Sequence, residues 1–432
     1  MASPEQLTAE SPPAGPKAPS LLDSLTGLRG LAAILVFCFH YTTFQMVFAS
    51  GGGLEFAPLT RPMWLTMSGN FAVGSFFILS GFVLALTTRP GTSMANFCAK
   101  RVGKLFPVYF VTSVLAIAAI VLIGMPISAT NIVLHLTLLQ SWVPFQDIYH
   151  GVNPVTWSLS TEAFFYLLFP TALFLVHRLG TRALWWLLGA AVFLEFALPL
   201  YVMHYFTVAA LPGHETFMST GSRGGDLAYW FTLPFPPYRF LEFLVGMIGC
   251  VLLTRGALPR VRTCWAWSLC AVAYAIGTYT TGPLQRTSVG LVPLAVLVVA
   301  LAQADMDGRP SLLRRKLFVE LGKLSYGMYA IQLLVFLPTA PFLVRWLSSA
   351  LGVSETTLGQ PLWKACIMAG YFGLIVLLAV PLYRYVEVPA YDYAKRLYRD
   401  REPSPMFAAP VAAATAVLAP AATSTSVGGR SL

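Results

Sequence analysis

Long apolar blocks separated by short polar connections make up most of the chain. Each block runs for about 16–25 residues, which is the length of helix needed to cross a bilayer core of roughly 30 Å. The pattern therefore predicts an all-α protein, a polytopic membrane helix bundle with about ten transmembrane helices. The predicted spans cover about 28–48, 66–87, 106–125, 157–176, 184–203, 237–254, 263–280, 287–304, 321–343 and 365–386.

Three further stretches do not fit the pattern of spans. The apolar stretch Asn131–Val143 is too short to cross a bilayer, so we predict an interfacial or re-entrant segment. Residues 1–20 and 397–432 are rich in Ala, Pro, Ser and Thr and show no periodicity, which predicts disordered tails. One transmembrane domain is therefore expected over residues 21–396.

Composition and charge agree with a membrane protein. The chain is 56% hydrophobic and 11% charged, against about 25% charged residues in a soluble domain. If the N-terminus is cytosolic, the cytosolic loops hold fourteen Lys and Arg residues and the opposite loops hold five. This bias predicts both termini in the cytosol. The net charge of +10 follows this distribution, so we expect the lipid bilayer as a partner and no nucleic acid. The pattern leaves open an endomembrane or plasma-membrane location.

His40 is an ionisable residue inside the first predicted span, eleven residues after Arg29. That separation is three helical turns plus roughly 20°, so the two side chains share a face. His40 is expected about 16 Å deeper than Arg29, near the bilayer centre. An ionisable group at that depth is costly and indicates a functional site. The alternative is a histidine that makes one interhelical hydrogen bond.

Two later spans carry polar faces at a similar depth. Ser158, Glu162 and Tyr166 are spaced at i, i+4 and i+8, and a buried carboxylate such as Glu162 requires a partner, with His40 as one possibility. Solvent or a nearby arginine is the alternative. Ser325, Tyr329 and Gln332 form a third such face. We expect the three faces to line one polar site.

The remaining charged residues have two interpretations. Lys100, Arg101 and Lys104 follow the second span, where the cytosolic bias of basic residues accounts for them; together with Arg29 they also suit a phosphate-bearing donor. The pairs Arg239/Glu242 and Arg384/Glu387 are interpreted as structural i, i+3 pairs at span ends. No spacing of Cys or His residues suggests a metal site, so we predict no metal and no disulfide framework.

At these residues the chain resembles the acyltransferase-3 family of membrane O-acyltransferases. The resemblance covers about Leu22 to Ala390 and rests on six segments: the Arg-x10-His pattern within Leu22–Tyr41, FFILSGF at 76–82, RVGKLFP at 101–107, WSLSTE at 157–162, RFLEFLVGM at 239–247 and SYGMY at 325–329. It implies a cytosolic acyl-CoA as co-substrate, acetyl-CoA by default, with no tightly bound cofactor. It also implies a catalytic His40 supported by Arg29.

The expected reaction is acyl transfer to a hydroxyl. His40 is expected to act as base, with Glu162 orienting it and Arg29 assisting. Tyr329 or Gln332 is expected to stabilise the oxyanion, and Ser158 and Tyr166 to contact substrate. CoA is expected to bind four basic residues, Arg29, Lys100, Arg101 and Lys104. Many family members carry histidine at the position of Gln332, and glutamine cannot exchange a proton near neutral pH.

Three questions stay open at the level of sequence. Direct transfer and an acyl-His40 intermediate are equally compatible with these residues. The acceptor is expected to be a small hydrophobic metabolite, with a glycan or glycolipid at the outer face as the alternative. A transporter or flippase is the rival from another class, although the chain has no internal repeat to support it.

Overall fold

In the computed structural model the structure describes residues 22–48, 63–88, 92–205, 225–280, 284, 288–354 and 361–397. Every regular element in these ranges is helical. The predicted tails, 1–20 and 397–432, lie outside the described residues except for Leu397, which ends the last helix. The helices are α1 (Asp23–Phe48), α2 (Met63–Thr87), α3 (Met94–Leu122), α4 (Ala129–Leu136), α5 (Gln146–Tyr149), α6 (Trp157–Arg178), α7 (Thr181–Tyr205), α8 (Gly225–Thr232), α9 (Pro236–Thr254), α10 (Thr263–Tyr279), α11 (Ser288–Met306), α12 (Lys316–Leu351), α13 (Pro361–Pro381) and α14 (Val388–Leu397).

Helices occupy all ten predicted spans, which confirms the all-α polytopic bundle. Eight stretches of the described chain are long and apolar enough to cross a membrane: Asp23–Thr42, Ser68–Thr87, Met94–Leu122, Pro154–Arg178, Thr181–Tyr205, Leu227–Thr254, Ser288–Met306 and Ala365–Leu397. The other two predicted spans correspond to α10, with 17 residues, and α12, with 36. The count of ten and the cytosolic termini stay predictions.

Small residues allow the central helices to pack with their backbones in close contact. A Cβ placed on Gly246 of α9 would lie 2.0 Å from the Ile78 carbonyl oxygen of α2, and one on Gly81 would lie 2.0 Å from the Phe243 oxygen. On α12, a Cβ on Gly322 would lie 2.0 Å from the Thr26 oxygen of α1. Such approaches are typical of membrane helix interfaces. Gly81, Gly246 and Gly322 therefore permit the close approach of these helix pairs.

We expect Gly246→Ala to destabilise the protein by about 1–3 kcal/mol, because its methyl group meets the backbone of α2 and has no space to move into. Gly189→Ala is the matched control. Gly189 lies within α7, and a Cβ placed on it would have no described atom within 4 Å, so alanine there stabilises the helix by about 0.5–1 kcal/mol. Thermal unfolding in detergent measures both changes, and equal midpoints for the two variants would contradict the packing argument.

Helix α3 begins earlier than predicted. It starts at Met94, where the Ser93 hydroxyl caps it by accepting a hydrogen bond from the Asn96 amide, 3.1 Å away. Lys100, Arg101 and Lys104 therefore lie on a helix and not in a cytosolic loop, which corrects the boundary predicted at residue 106. The extra turns pack against α14, where a Cβ on Gly103 would lie 2.4 Å from the Ala394 methyl. Tertiary packing thus accommodates a basic segment that the apolar pattern excluded.

The segment 129–156 folds back onto the bundle. Its longest helix, α4, has eight residues and is about 12 Å long, too short to cross a bilayer. The rest of the segment contains the short α5 and two 3₁₀ turns, Gln140–Trp142 and Pro154–Thr156. The His135 ring nitrogen Nε2 lies 3.0 Å from the Ser113 hydroxyl of α3, and the Asn153 amide donates to the Ala330 carbonyl of α12 over 2.9 Å. These bonds tie the segment to two helices.

Candidate active site

His40 meets polar side chains from two other helices. It forms a side-chain hydrogen bond with Gln332 of α12. Its ring centroid lies 6.4 Å from that of Tyr329, one turn earlier on α12. The Tyr329 hydroxyl lies 2.8 Å from the Ser158 hydroxyl of α6 and donates to the Val155 carbonyl. The structure therefore brings together the three helix faces that the polar spacing predicted.

Gln332 holds His40 from the position where many family members carry histidine. Its side chain is buried, and its amide nitrogen donates to the Tyr329 carbonyl over 3.2 Å. An amide fixed in this way can orient an imidazole ring but cannot relay a proton. Ser325 belongs to the same helix face, but its hydroxyl donates to the Gly322 carbonyl, 2.8 Å away, and so serves the local helix backbone.

Glu162 lies one helical turn beyond Ser158 on α6. Its Oε1 atom accepts hydrogen bonds from the Ser80 hydroxyl of α2, at 2.9 Å, and from the Tyr166 hydroxyl. The charge of Glu162 also interacts with Tyr329. Ser80 and Tyr166 thus provide hydrogen bonds to a half-buried carboxylate, which needs such partners away from water. A direct role of Glu162 in orienting His40 stays a prediction.

The basic residues predicted to bind the donor come together around Lys104. Its ammonium group interacts electrostatically with Arg29 of α1 and with Arg101 on its own helix. The Arg101 guanidinium lies 5.5 Å from the centre of the Phe97 ring and 5.9 Å from that of Tyr166. Lys100 lies one turn before Lys104 on α3. Three cations from two helices therefore share one region of the bundle.

Glu387 also belongs to this region, although the sequence pattern pairs it with Arg384. In the structure its buried carboxylate interacts with Lys104 and Arg29. A π-helical turn, Leu382–Glu387, lies between α13 and α14 and ends at this residue. Such turns recur at functional sites. Nothing in the sequence pattern signals the extra residue in that turn.

Arg239 and Glu242 form an ion pair inside the protein. Their side chains are each 1% exposed and approach to 3.0 Å, so the predicted i, i+3 pair exists but is fully buried. The guanidinium carbon lies 5.0 Å from the centre of the Phe77 ring. Among the described residues, Nε and Nη1 of Arg239 have no hydrogen-bond partner. Arg239 also interacts electrostatically with Tyr329, so its guanidinium lies near His40, Gln332 and Tyr329, which we call the His40 cluster.

The order of residues along α6 connects these groups. Ser158 lies at the level of Tyr329 and His40, Glu162 follows one turn later, and Tyr166 one turn after that, beside Arg101. We call the row of polar residues in this order the polar file; its members are Arg101, Tyr166, Glu162, Ser158, Tyr329 and His40. It runs through the bundle from the basic region around Lys104 to the His40 cluster.

Comparison with known proteins finds one matching family of acyltransferases and three related proteins. The model of the Acyl_transf_3 family, described as an acyltransferase domain, matches residues 22–384. "Acyltransferase MdmB" of Streptomyces mycarofaciens is 33% identical over 319 residues, which is 73% of this chain and 79% of that protein. "Putative acetyltransferase ORF330" of Acidianus two-tailed virus is 24% identical over 316 residues, 71% of this chain and 81% of that protein. "Nodulation protein 10" of Rhizobium leguminosarum bv. viciae is 28% identical over 292 residues, 61% and 71% respectively. No solved structure matches this chain significantly.

Proposed function

Because the chain belongs to the Acyl_transf_3 family and is a multi-pass membrane acyltransferase, we propose that it transfers an acyl group from cytosolic acyl-CoA to a hydroxyl. Acetyl is the default acyl group, and a small hydrophobic metabolite is the preferred acceptor. This proposal rests on one observation: His40 contacts Gln332 and Tyr329 at one end of the polar file. The membrane is an endomembrane or the plasma membrane.

His40 acts as the general base in this proposal. Neutral His40 accepts the proton of the acceptor hydroxyl while that oxygen attacks the thioester carbonyl carbon. The carbon–sulfur bond then breaks, the ester is formed, and the imidazolium returns the proton to the CoA thiolate. Gln332 keeps the imidazole ring oriented throughout. A route through acyl-His40 uses the same residue as nucleophile, followed by attack of the acceptor on that intermediate.

The developing oxyanion requires hydrogen-bond donors that are already in place. The sequence predicts Tyr329 or Gln332 for this role, but the Tyr329 hydroxyl donates to Val155 and the Gln332 amide donates to the Tyr329 carbonyl. The Nε and Nη1 groups of Arg239, which no described residue pairs, support its assignment as the main oxyanion donor. Glu162 holds Ser80 and Tyr166 along the polar file and contributes a negative charge that favours the imidazolium.

The CoA phosphates are assigned to the basic region. Arg29, Arg101 and Lys104 lie together there, with Lys100 one turn away. Because Arg29 precedes His40 by eleven residues of helix, the two groups are about 16 Å apart along α1. A pantetheine arm extending along the polar file can span such a distance and bring the thioester to His40.

Replacing Lys104 by methionine is expected to raise KM for acetyl-CoA about tenfold, because the variant loses one charge-assisted contact to a phosphate group. KM for S-acetyl-N-acetylcysteamine, a donor without phosphates, should stay unchanged. Arg178→Met is the matched control, because Arg178 stacks on Phe174 at 4.1 Å at the end of α6, outside the polar file. An equal rise in KM for both donors would show that Lys104 has a structural role only.

The acceptor has two candidate classes. The apolar interior of the bundle supports a small hydrophobic alcohol, and a glycan or glycolipid at the outer face is the alternative. Three alcohols with the same eight-carbon chain distinguish them: 1-octanol, 1,2-octanediol and octyl β-D-glucoside. Transfer confined to the glucoside would favour the glycolipid class.

The test is thiol release from acetyl-CoA by the purified protein, supplied with each alcohol and with ester formation followed by mass spectrometry. We expect release that requires His40 and yields an acetyl ester. Thiol release without ester would indicate a hydrolase. Absence of release with all three alcohols, and with longer-chain acyl-CoA donors, would contradict the proposal and favour the transporter alternative.

A further inference from the structure

His150 is a second histidine near the site, in the segment 129–156. Its Nδ1 atom lies 2.9 Å from the Pro154 carbonyl oxygen. A carbonyl oxygen only accepts hydrogen bonds, so Nδ1 carries the hydrogen and the lone pair of the neutral ring is on Nε2. Burial lowers the pKa of His150 to about 4, against the opposing effect of the Pro154 bond. The ring is therefore neutral near pH 7, and Nε2 is a hydrogen-bond acceptor.

The Nε2 atom of His150 is shielded from solvent and has no hydrogen-bond partner among the described residues. Most buried polar atoms in folded proteins are paired, so an unpaired one requires an explanation. His135 provides a comparison within the same segment. Its pKa is also lowered to about 4 by burial, yet its Nε2 lies 3.0 Å from the Ser113 hydroxyl. Within the described part of the chain, the fold thus pairs one of these two histidines and leaves the other with an open acceptor.

The open acceptor lies close to His40, with which His150 interacts electrostatically. The order of residues along the chain separates it from the basic region around Lys104. Along the chain, His150 and Pro154 precede Ser158, whereas Glu162 and Tyr166 follow it toward Arg101. A donor entering from the basic region would reach His40 without passing His150. The acceptor substrate is thus the group that His150 meets.

The surroundings of His150 are aromatic. Its ring centroid lies 4.6 Å from that of Tyr149 and 6.5 Å from that of Tyr229, and these two tyrosine rings are stacked at 6.4 Å. Aromatic ring faces suit the apolar body of a ligand, and the Nε2 atom of His150 beside them can fix its orientation through one hydrogen bond. The two features together define a ligand with an apolar body and a hydrogen-bond donor.

We propose that Nε2 of His150 accepts a hydrogen bond from a second hydroxyl of the acceptor, so that the enzyme selects diols and polyols over simple alcohols. This inference rests on the proposed acyl transfer and narrows its acceptor class. One hydroxyl of the acceptor gives its proton to His40 and attacks the thioester. The neighbouring hydroxyl binds His150 and orients the first. His150 is in this view an acceptor-binding residue, a role that the sequence pattern does not assign to it.

The experiment compares 1,2-octanediol with 1-octanol as acceptors for acetyl-CoA. We expect the wild-type kcat/KM to be at least about tenfold higher for the diol, the effect of one hydrogen bond to an otherwise unpaired buried atom. His150→Asn is the central variant, because its amide nitrogen can replace Nδ1 as the donor to Pro154 while nothing replaces Nε2. It should lose the preference through a higher KM for the diol, so that its kcat/KM for the diol falls to about its own value for 1-octanol.

Two further variants complete the design. His150→Gln places an amide oxygen near the position of Nε2 and should restore part of the preference. His135→Asn alters the paired histidine of the same segment and should lower thermal stability without changing the diol-to-alcohol ratio. If His150→Asn does not fold, His150→Gln and the wild type still test the proposal through the ratio.

The possible results distinguish failure of this inference from failure of the proposed acyl transfer. Equal wild-type efficiency on the two alcohols would overturn the inference while leaving acyl transfer intact, and so would a diol preference that survives in His150→Asn. Loss of the ratio in His135→Asn as well would reduce His150 to a structural residue. Absence of His40-dependent transfer to any of the three alcohols would contradict the proposed function itself, and the inference would fall with it.

Discussion

Substitution of His40 by alanine is expected to lower kcat/KM for acyl transfer by about 10²–10⁴-fold, the typical contribution of a general base. The loss would be still larger if His40 also carries the acyl group. The bundle should remain folded, because α1 and α12 also pack away from His40, for example where Gly322 approaches the Thr26 carbonyl. Thiol release and ester formation measure the loss, and thermal unfolding measures the fold.

Thr42→Val is the matched control for His40→Ala. Thr42 lies on the same helix, and its hydroxyl donates locally, to the Cys38 and Phe39 carbonyls at 2.8 and 3.0 Å. We expect this variant to retain the wild-type rate. Full activity in His40→Ala would rule out both direct transfer and the acyl-His40 route. Acid-quenched mass spectrometry of the wild type with acetyl-CoA alone separates these routes, because only the second leaves acetyl on the protein.

Substitution of Arg239 by methionine is expected to destabilise the protein by about 3–5 kcal/mol and to remove most of the activity. The stability loss follows because Glu242, itself 1% exposed, loses the partner that compensates its buried charge. The activity loss follows from the removal of the proposed oxyanion donors, for which the usual effect of one donor is about 10²–10³ in kcat. Thermal unfolding and thiol release give the two quantities separately.

The double variant Arg239→Met/Glu242→Gln distinguishes these two roles. It removes both charges, so most of the stability should return, since a buried ion pair contributes little net stability compared with uncharged replacements. The activity should stay low, because a methionine side chain offers no hydrogen-bond donor to the oxyanion. If the double variant recovers activity together with stability, Arg239 serves the fold alone and the oxyanion donor lies elsewhere.

Local sequence patterns were sufficient for the helices and for part of the site. The lengths of the apolar blocks located a helix at each of the ten predicted spans, because a bilayer imposes a similar length on every span. Polar residues at helical spacing within those blocks identified His40, Ser158, Tyr329 and Gln332, which the structure brings together. The reason is that burying polar atoms in an apolar helix is costly, so those that persist mark an interface or a site.

Pairing between helices could not be predicted in the same way. The spacing of polar residues offered His40 as one possible partner of Glu162, whereas the hydrogen bonds to its Oε1 atom come from Ser80 and Tyr166. The burial of Arg239 and the partners of Glu387 depend on which helices pack around them. Glu387 also ends a π turn, Leu382–Glu387, whose spacing differs from the α-helical spacing used to pair it with Arg384. His150 lies in an irregular segment, where no periodicity exists from which to infer the orientation of a side chain.

The sequence by itself determined that this protein is a helical membrane bundle of the acyltransferase class and which helix faces carry polar groups. The tertiary structure alone decided which of those groups meet: His40 with Gln332, Lys104 with Arg29 and Glu387, and an ion pair with two donors that no described residue pairs. The physical reason is one of range. Helix formation and membrane insertion depend on the residues of one segment, whereas the partner of a buried polar atom is set by packing between segments far apart in the chain.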